Sequence, residues 1–418
     1  MPTGFQAYWS PLAVRGDSWM RVLLVSRNYF PPKVHGGAQV SVMQLGQGLR
    51  RLGHEVAILN VDDHEHFGIH EATELPEYRL KLRNVYLRGE QSAPKRIAWH
   101  LIDRLGNRME GEYRRVLADF RPDIINTHVM AGIGTGIWRV ASDMRVPIVH
   151  RVSDYYLLCL NSGHRKNGEN CASVCGSCRA LALAPSRRHT SLVNHVIFVS
   201  QKIRSIYEAA NVFPGHMPNT IIHGAYRPKQ AIPARLDRVD QDCLTIGFFG
   251  RISPEKGLEE LIAMLRTLPA DGWRLMVGGD GNPAYVAKLR KMAADLPITF
   301  LGVQTPDAFY AIVDTLIVSS LWDEPSGRVA FESGIHGVIP IVASRGGLPE
   351  MVGFGTRGLV FDPDDPATLL SAIAQVRDDK ALRERIRERW VQDTHEYDPD
   401  FVAGRTLEIY ERLLRDKT

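Results

Sequence analysis

Glu324 and Glu332 stand eight positions apart around a Pro-Ser-Gly turn, in DEPSGRVAFES at 323–333. The turn precedes a helical pattern, so the amides of Ser326, Gly327, Arg328 and Val329 fall at a helix start, with one carboxylate before the helix and one within it. Unpaired amides and the positive end of the helix dipole suit an anion there. Ionised carboxylates accept several strong hydrogen bonds, which suits a ligand rich in hydroxyls. Taken singly, either glutamate reads as well as a surface or capping residue. A second segment, FFGRISPEKGLEELI at 248–262, places Arg251 and Lys256 between a strand that ends at Gly250 and a helix that begins near Gly257. It is not a P-loop, because Gly257 follows the lysine where Ser or Thr would hold magnesium. Two cations on one strand-to-helix connection can instead neutralise a diphosphate without metal, or form a solvated charged loop. A third segment, PPKVHGGAQ at 31–39, carries Gly36 and Gly37, whose lack of side chains lets backbone amides approach an anion. A glycine pair serves equally as a plain turn, and it does not match the spaced-glycine dinucleotide fingerprint, which disfavours a nicotinamide enzyme.

These loops need strands before them and helices after them. VLLVS (22–26), EVAILNV (55–61), DIINTH (123–128) and PIVHRV (147–152) alternate with helical patterns such as Val40 to Leu52, which stops at Gly53. The rhythm pauses through Pro214, Pro218, Pro228 and Pro233 and resumes with LTIGFFG (244–250), WRLMVGG (273–279), ITFLG (298–302), TLIVSS (315–320), VIPIVAS (338–344) and GLVF (358–361). Helical patterns follow at 257–268, 284–294, 306–313 and 327–336. Strand, helix, strand in repetition means a parallel sheet with helices on both faces, and the expected class is α/β with two doubly wound domains. Ligands then bind outside the carboxyl ends of the strands. The expected division is an N-terminal domain over 20–228, a C-terminal domain over 229–395, and a last helix, 396–418, that packs back on the first domain. Residues 1–19 lack periodicity and read as a disordered extension or a misplaced start.

At 418 residues and 44% hydrophobic content the chain exceeds a single ordinary core. No run approaches the roughly 20 apolar residues that cross a bilayer, so a cytoplasmic protein is expected. The net charge of +4 is unevenly spread: residues 1–230 hold 29 Lys and Arg against 18 Asp and Glu, and the remainder 22 against 29. The basic half suits an anionic acceptor or membrane surface. A pI near 8.7 does not make nucleic acid a partner, since neither half carries a recognised nucleic-acid module.

Taken together, E-x7-E from Glu324 to Glu332, GGLPE at 346–350 and the GRxxxxKG of 250–257 resemble the large retaining glycosyltransferase family, family four, that includes sucrose synthase and bacterial mannosyltransferases. The resemblance runs from Met20 onward. It implies a GT-B fold, two Rossmann-like domains facing a cleft, and transfer of a hexosyl group from a UDP- or GDP-sugar with anomeric configuration retained. Arg251, Lys256 and the amides after Pro325 would hold the donor diphosphate, with Gly36 and Gly37 closing from the opposite domain. Glu332 would bind the ribose hydroxyls and Glu324 the transferred sugar. No cofactor is implied: fixed cations and a helix N-terminus stabilise the charge that develops on the departing oxygen. The acceptor would be a carbohydrate, a lipid-linked sugar or a small molecule, in bacterial cell-surface polysaccharide, glycolipid or glycosylated-metabolite synthesis.

The chain departs from the family in one place. Where the family reads His-Asp after a strand, VHRVSDYYLLC at 149–159 has Ser153 before Asp154. Serine hydrogen-bonds a hydroxyl but carries no charge as imidazolium does. His150 falls on the other face of that strand, which leaves His128, at the end of its own strand, as the substitute candidate. Cys159, Cys171, Cys175 and Cys178 offer four thiolates for a structural zinc, or are unligated buried thiols. The stretch Pro94–Phe120, with Lys95, Arg96, Arg104, Arg108, Arg114 and Arg115 among Trp99, Ile102, Leu105 and Leu117, reads as a helix that lies on anionic lipid or as a solvated helix with an apolar stripe to the core. Rival readings are a nucleotide-sugar epimerase, a sugar phosphorylase, and a catalytically silent sugar-nucleotide-binding relative, the last motivated by Ser153.

Overall fold

The computed structural model describes residues 19–27, 37–62, 65–69, 75–82, 93–106, 108–229, 243–269 and 271–416. The expectations for residues 1–18 and for Gly36 lie outside the described residues. The chain divides into two compact units. The first takes the described residues up to His164, Cys171–Ala225 and those from Tyr397 onward; the second takes Arg165–Asn170 and Tyr226–Glu396.

In chain order the strands are β1 Arg21–Val25, β2 Glu55–Asp62, β3 His66–Ile69, β4 Pro76–Lys81, β5 Ile124–Thr127, β6 Ile148–Val152, β7 Arg165–Lys166, β8 Glu169–Asn170, β9 His195–Phe198, β10 Asn219–Ile221, β11 Leu244–Phe249, β12 Trp273–Gly278, β13 Ile298–Gly302, β14 Thr315–Val318, β15 Ile339–Ala343 and β16 Leu359–Phe361. The first unit holds an eight-stranded sheet in the order β10-β9-β6-β5-β1-β2-β4-β3, parallel except for β3 against β4. Every residue of β5, β6 and β9 is buried, as expected of parallel strands covered on both faces. The helix Gly37–Arg51 packs its Val42, Leu45 and Leu49 on β1 and β2. The last helix, Pro399–Arg415, joins the same core through Val402, Leu407 and Tyr410. Its Asp400 pairs with Arg51 at 2.7 Å, and the Asn126 amide of β5 donates to the Tyr410 hydroxyl at 2.6 Å.

The basic stretch read as one helix is two, Ala93–Gly106 and Glu110–Phe120, because Arg108 takes a left-handed φ of 57°. Arg104 does not face outward. It is wholly buried, donates to the Tyr156 and Cys159 carbonyls at 2.8 and 3.0 Å, and lies over the Tyr156 ring. No described helix is long and apolar enough to cross a membrane.

The second unit holds a six-stranded, all-parallel sheet in the order β13-β12-β11-β14-β15-β16. Its strands are the six apolar runs of the second half of the sequence. Two helices start beside the loops that carry Lys256 and Glu324: Leu258–Leu265 after β11 and Arg328–Ile335 after β14. A third, Lys380–Asp393, sends Trp390 against Gly334, where a β-carbon would overlap the indole.

Candidate active site

The carboxyl ends of β11 and β14, neighbours in the second sheet, carry the residues singled out from sequence. After β11 the chain passes Gly250 and Arg251, makes a 3-10 turn at Pro254–Lys256, and enters the helix Leu258–Leu265 through Gly257 at φ 69°. Only glycine suits that position: the backbone is left-handed, and a β-carbon would run into the Ser319 carbonyl oxygen just past β14. The close approach is fixed by Ser319 Oγ donating to the Lys256 carbonyl at 3.1 Å and the Leu321 amide donating to the Glu255 carbonyl at 3.0 Å. It brings Lys256 Nζ to 2.5 Å from Glu324 Oε1, the oxygen that also accepts from Ser320 Oγ at 2.6 Å. Lys256 Nζ lies 5.4 Å from the centre of the Trp322 ring.

Arg251 is placed differently. Its side chain is 67% exposed and pairs with Glu255 at 3.1 Å rather than joining the lysine and glutamate. Burial pushes the Glu255 carboxyl up, but the Ser253 hydroxyl, its own amide, Arg251 and Lys256 together hold it below the usual range.

The helix Arg328–Ile335 starts after Gly327, as the sequence pattern predicts. Glu332 is buried on it and receives the Arg328 guanidinium one turn back, at 2.9 Å from Nε and 2.7 Å from the nearer terminal nitrogen. Glu332 is thus already neutralised, by a residue whose amide alone suggested a role in the sequence. Ser326 Oγ is directed at the Met351 sulfur, 3.4 Å away. The GGLPE loop closes on the same turn: the Gly346 amide donates to Asp323 Oδ1 at 2.8 Å and the Gly347 amide to the Glu324 carbonyl at 2.7 Å.

In the first unit, Gly37 opens its helix. His128, Ser153 and Asp154 follow β5 and β6, adjacent strands, at their carboxyl ends. His128 is buried, its Nε2 has no hydrogen-bond partner among the described residues, and burial with the nearby Arg151 and His150 depresses its pKa far below the usual histidine range. It is a neutral imidazole. His150 points instead into the core, 2.9 Å from Thr127 Oγ1 and edge-on to Trp138, and burial lowers its pKa to about 3. Asp154 caps its own turn by accepting from the Tyr156 amide at 2.8 Å; burial raises its pKa to about 6 against that bond and Arg104. Cys159 is buried and Cys171, Cys175 and Cys178 are half-buried, with Cys178 hydrogen-bonded to Cys175 and near Cys159, and among the described residues no group of three His, Cys, Asp or Glu side chains is placed to hold a metal ion.

Two family models account for most of the chain, the glycosyl transferase 4-like domain over residues 36–220 and the glycosyl transferases group 1 model over 237–392. The chain belongs to the group 1 glycosyltransferases. It is 25% identical to an uncharacterized glycosyltransferase of Methanocaldococcus jannaschii, across 94% of this chain and 98% of the relative. It is 26% identical to the D-inositol 3-phosphate glycosyltransferase of Corynebacterium efficiens, across 94% and 95%. Among solved structures it resembles Anabaena HepE in complex with UDP and glucose, with a TM-score of 0.67 and 16% identity over 94% of this chain and all of that one. The fold is GT-B, two Rossmann-like α/β units.

Two features of this glycosyltransferase escaped the sequence reading. One is a buried network in the first unit, in which Asp103 accepts from the Tyr156 hydroxyl at 2.7 Å and the Gly132 amide at 2.9 Å, beside Arg104. Burial raises the Asp103 pKa to about 6 although these partners and Arg27 oppose it. The network ties Tyr156, in the loop after Ser153, to the helix Ala93–Gly106, and nothing in the spacing of a charged helix announces it. The other is the hairpin β7–β8, whose Asn167-Gly168 pair, both at positive φ, is the ordinary signature of a two-residue hairpin turn. That signal was readable.

Proposed function

We propose that the chain is a retaining family-four hexosyltransferase that uses a UDP-sugar, with a GDP-sugar as the alternative donor. The reading rests on one observation: Lys256 Nζ stands on Glu324 Oε1 at the carboxyl ends of neighbouring strands. A cation for a phosphate and a carboxylate for sugar hydroxyls therefore occupy adjoining positions. Lys256 and Arg251, with the amides of Ser326, Gly327, Arg328 and Val329, take the diphosphate; Glu332 takes the ribose hydroxyls and Glu324 the hexose. Gly36 and Gly37 are assigned to the donor with them, and His128, Ser153 and Asp154 to the sugar and acceptor end.

In the reaction the acceptor hydroxyl oxygen bonds to the anomeric carbon on the face from which the diphosphate leaves, the carbon–oxygen bond to the phosphate breaks, and the hydroxyl proton passes to the departing phosphate oxygen. Lys256 and Arg251 stabilise the charge that grows on that oxygen, which makes a metal unnecessary. HepE, the similar fold, binds UDP and glucose, which favours the uridine donor. The excess of cations in residues 1–230 and the likeness to an inositol-phosphate glycosyltransferase favour a phosphorylated or lipid-diphosphate-linked acceptor, in bacterial cell-surface polysaccharide, glycolipid or metabolite glycosylation. Peripheral attachment at the cytoplasmic membrane face is assigned to the helix Ala93–Gly106, where Lys95, Ile97 and Ile102 are exposed.

Calorimetric titration with UDP, GDP and their sugars, followed by NMR of the transferred anomeric centre in buffer containing a chelator, tests the reading. Binding of one sugar nucleotide and a retained product are expected. An inverted product, or a strict need for divalent metal, would refute the mechanism. Flotation with anionic and neutral vesicles tests the membrane contact.

A further inference from the structure

The second unit contains six residues that the chain supplies from far upstream. Arg165–Asn170 form the hairpin β7–β8, with Arg165 paired to Asn170 and Lys166 to Glu169 across a turn at Asn167 and Gly168. The turn is tied by the Arg165 guanidinium, which donates to the Gly168 carbonyl. The Cys171 amide donates to the His164 carbonyl at 2.9 Å and closes the base. A hairpin of this size has no core of its own and is marginal in water unless it packs on something.

What it packs on is the segment that leads to Glu324. Asn170 Nδ2 donates to the Leu321 carbonyl at 2.8 Å, and Asn170 Oδ1 accepts from the Asp323 amide at 3.1 Å. One carboxamide thus brackets Trp322 with both of its functions, in the manner of a neighbouring β-strand. Other ties on the segment, Leu321 to Glu255, Asp323 to Gly346 and Glu324 to Gly347, come from within residues 250–350.

We propose that Asn170 is a positioning residue for the donor site: it fixes the backbone on both sides of Trp322, and so sets the Glu324 carboxylate against Lys256 and where the transferred sugar will sit. It is not among the residues assigned to the diphosphate. Its loss therefore affects the sugar end of the donor and spares the nucleotide end. The proposal rests on the reading of Glu324 as the ligand of the donor sugar.

The test compares Asn170→Ala with Glu169→Ala, the exposed neighbour on the same strand, in the full-length chain. Amide hydrogen exchange over 321–324 is read first. Asn170→Ala should speed exchange there by about tenfold, the equivalent of one to two net hydrogen bonds, and Glu169→Ala should not. Affinity for UDP and for UDP-glucose is read second: Asn170→Ala should weaken the sugar nucleotide by roughly 5- to 30-fold and leave UDP within about twofold. Gly168→Val, which distorts the turn but keeps the carboxamide, should give the same pattern more weakly. Unchanged exchange over 321–324 in Asn170→Ala overturns the proposal, and so does an equal loss of UDP and sugar-nucleotide affinity. If exchange rises as expected but the unaltered protein binds no sugar nucleotide of any base, the positioning holds and the donor reading of Glu324 fails.

Discussion

Removing Lys256 should destabilise the second unit more than neutralising its partner. The two side chains meet at 2.5 Å, with Glu324 9% exposed and Lys256 23% exposed. An ion pair in full solvent contributes about 0–1 kcal/mol, and cutting one partner from a buried pair costs about 3–5 kcal/mol. This pair lies between those limits, and the asymmetry decides which half matters. In Lys256→Ala the buried carboxylate loses its cation and keeps, among the described residues, the Ser320 hydroxyl at 2.6 Å. The expected loss is about 2–3 kcal/mol. In Glu324→Gln the amide still serves Ser320, and the lysine stem can carry its ammonium into water, so the loss should be nearer 1 kcal/mol. The double variant should recover about 1–2 kcal/mol of the summed cost. Because the two units need not unfold together, the assay is urea-dependent hydrogen exchange at β11 and β14, which reports the second unit alone. Single losses that add to within about 0.5 kcal/mol, or a Lys256→Ala no worse than Glu324→Gln, would refute the reasoning.

Arg251→Ala should lower turnover by about two to three decades with little change in stability, since its side chain lies mostly in solvent; unchanged kcat removes it from the mechanism. Gly257→Ala should cost about 2–4 kcal/mol in denaturant melts, because a left-handed backbone and the overlap with the Ser319 carbonyl act together, and tolerance of the change would contradict the close approach of the two loops. His150 is buried and neutral with its pKa lowered to about 3, so the folded state resists the proton that the unfolded chain accepts near 6.5. Its contribution is complete above pH 6.5 and is lost as pH falls toward 3, at up to about 1.4 kcal/mol per pH unit. His150→Gln should flatten the acid limb of the first unit's stability by up to one proton, and an unchanged slope would show that another group carries it.

The second sheet is easy to read in the sequence because each of its strands is an apolar run bounded by glycine or a polar loop, with a helix after most of them. Lys256 and Glu324 are legible for the same reason: each follows a strand directly, and in a parallel sheet the ends of neighbouring strands lie together. What the pattern does not carry is the direction of a side chain. Arg251 and Lys256 lie five positions apart on one loop, yet the 3-10 turn sends one to solvent and the other onto Glu324. Arg328 attracts notice for its amide, but i to i+4 geometry turns its guanidinium onto Glu332. Arg104 looks like a surface cation and is a buried donor to two carbonyls. The strand β9, in NHVIFVS, is not singled out by the pattern, although it is as short and as buried as β5 and β14, which are.

The two paired carboxylates also constrain how the site can work. Glu324 and Glu332 are each met by a cation within the second unit, one across neighbouring loops and one along a helix. On the proposed assignment a diphosphate lies beside them, and bare carboxylates there would repel the donor where paired ones do not. Their oxygens retain acceptor capacity for hydroxyls, since a carboxylate offers about four lone-pair directions and Lys256 with Ser320 meet only Oε1 of Glu324. A donor phosphate that drew Lys256 toward itself would loosen its hold on Glu324 and free that oxygen for the sugar. Binding at the nucleotide end would then ready the sugar end. The consequence is measurable: Glu324→Gln should weaken UDP-glucose and leave UDP unchanged or bound more tightly, because the lysine no longer has to be shared. Equal weakening of both ligands would mean that the lysine and the glutamate act separately.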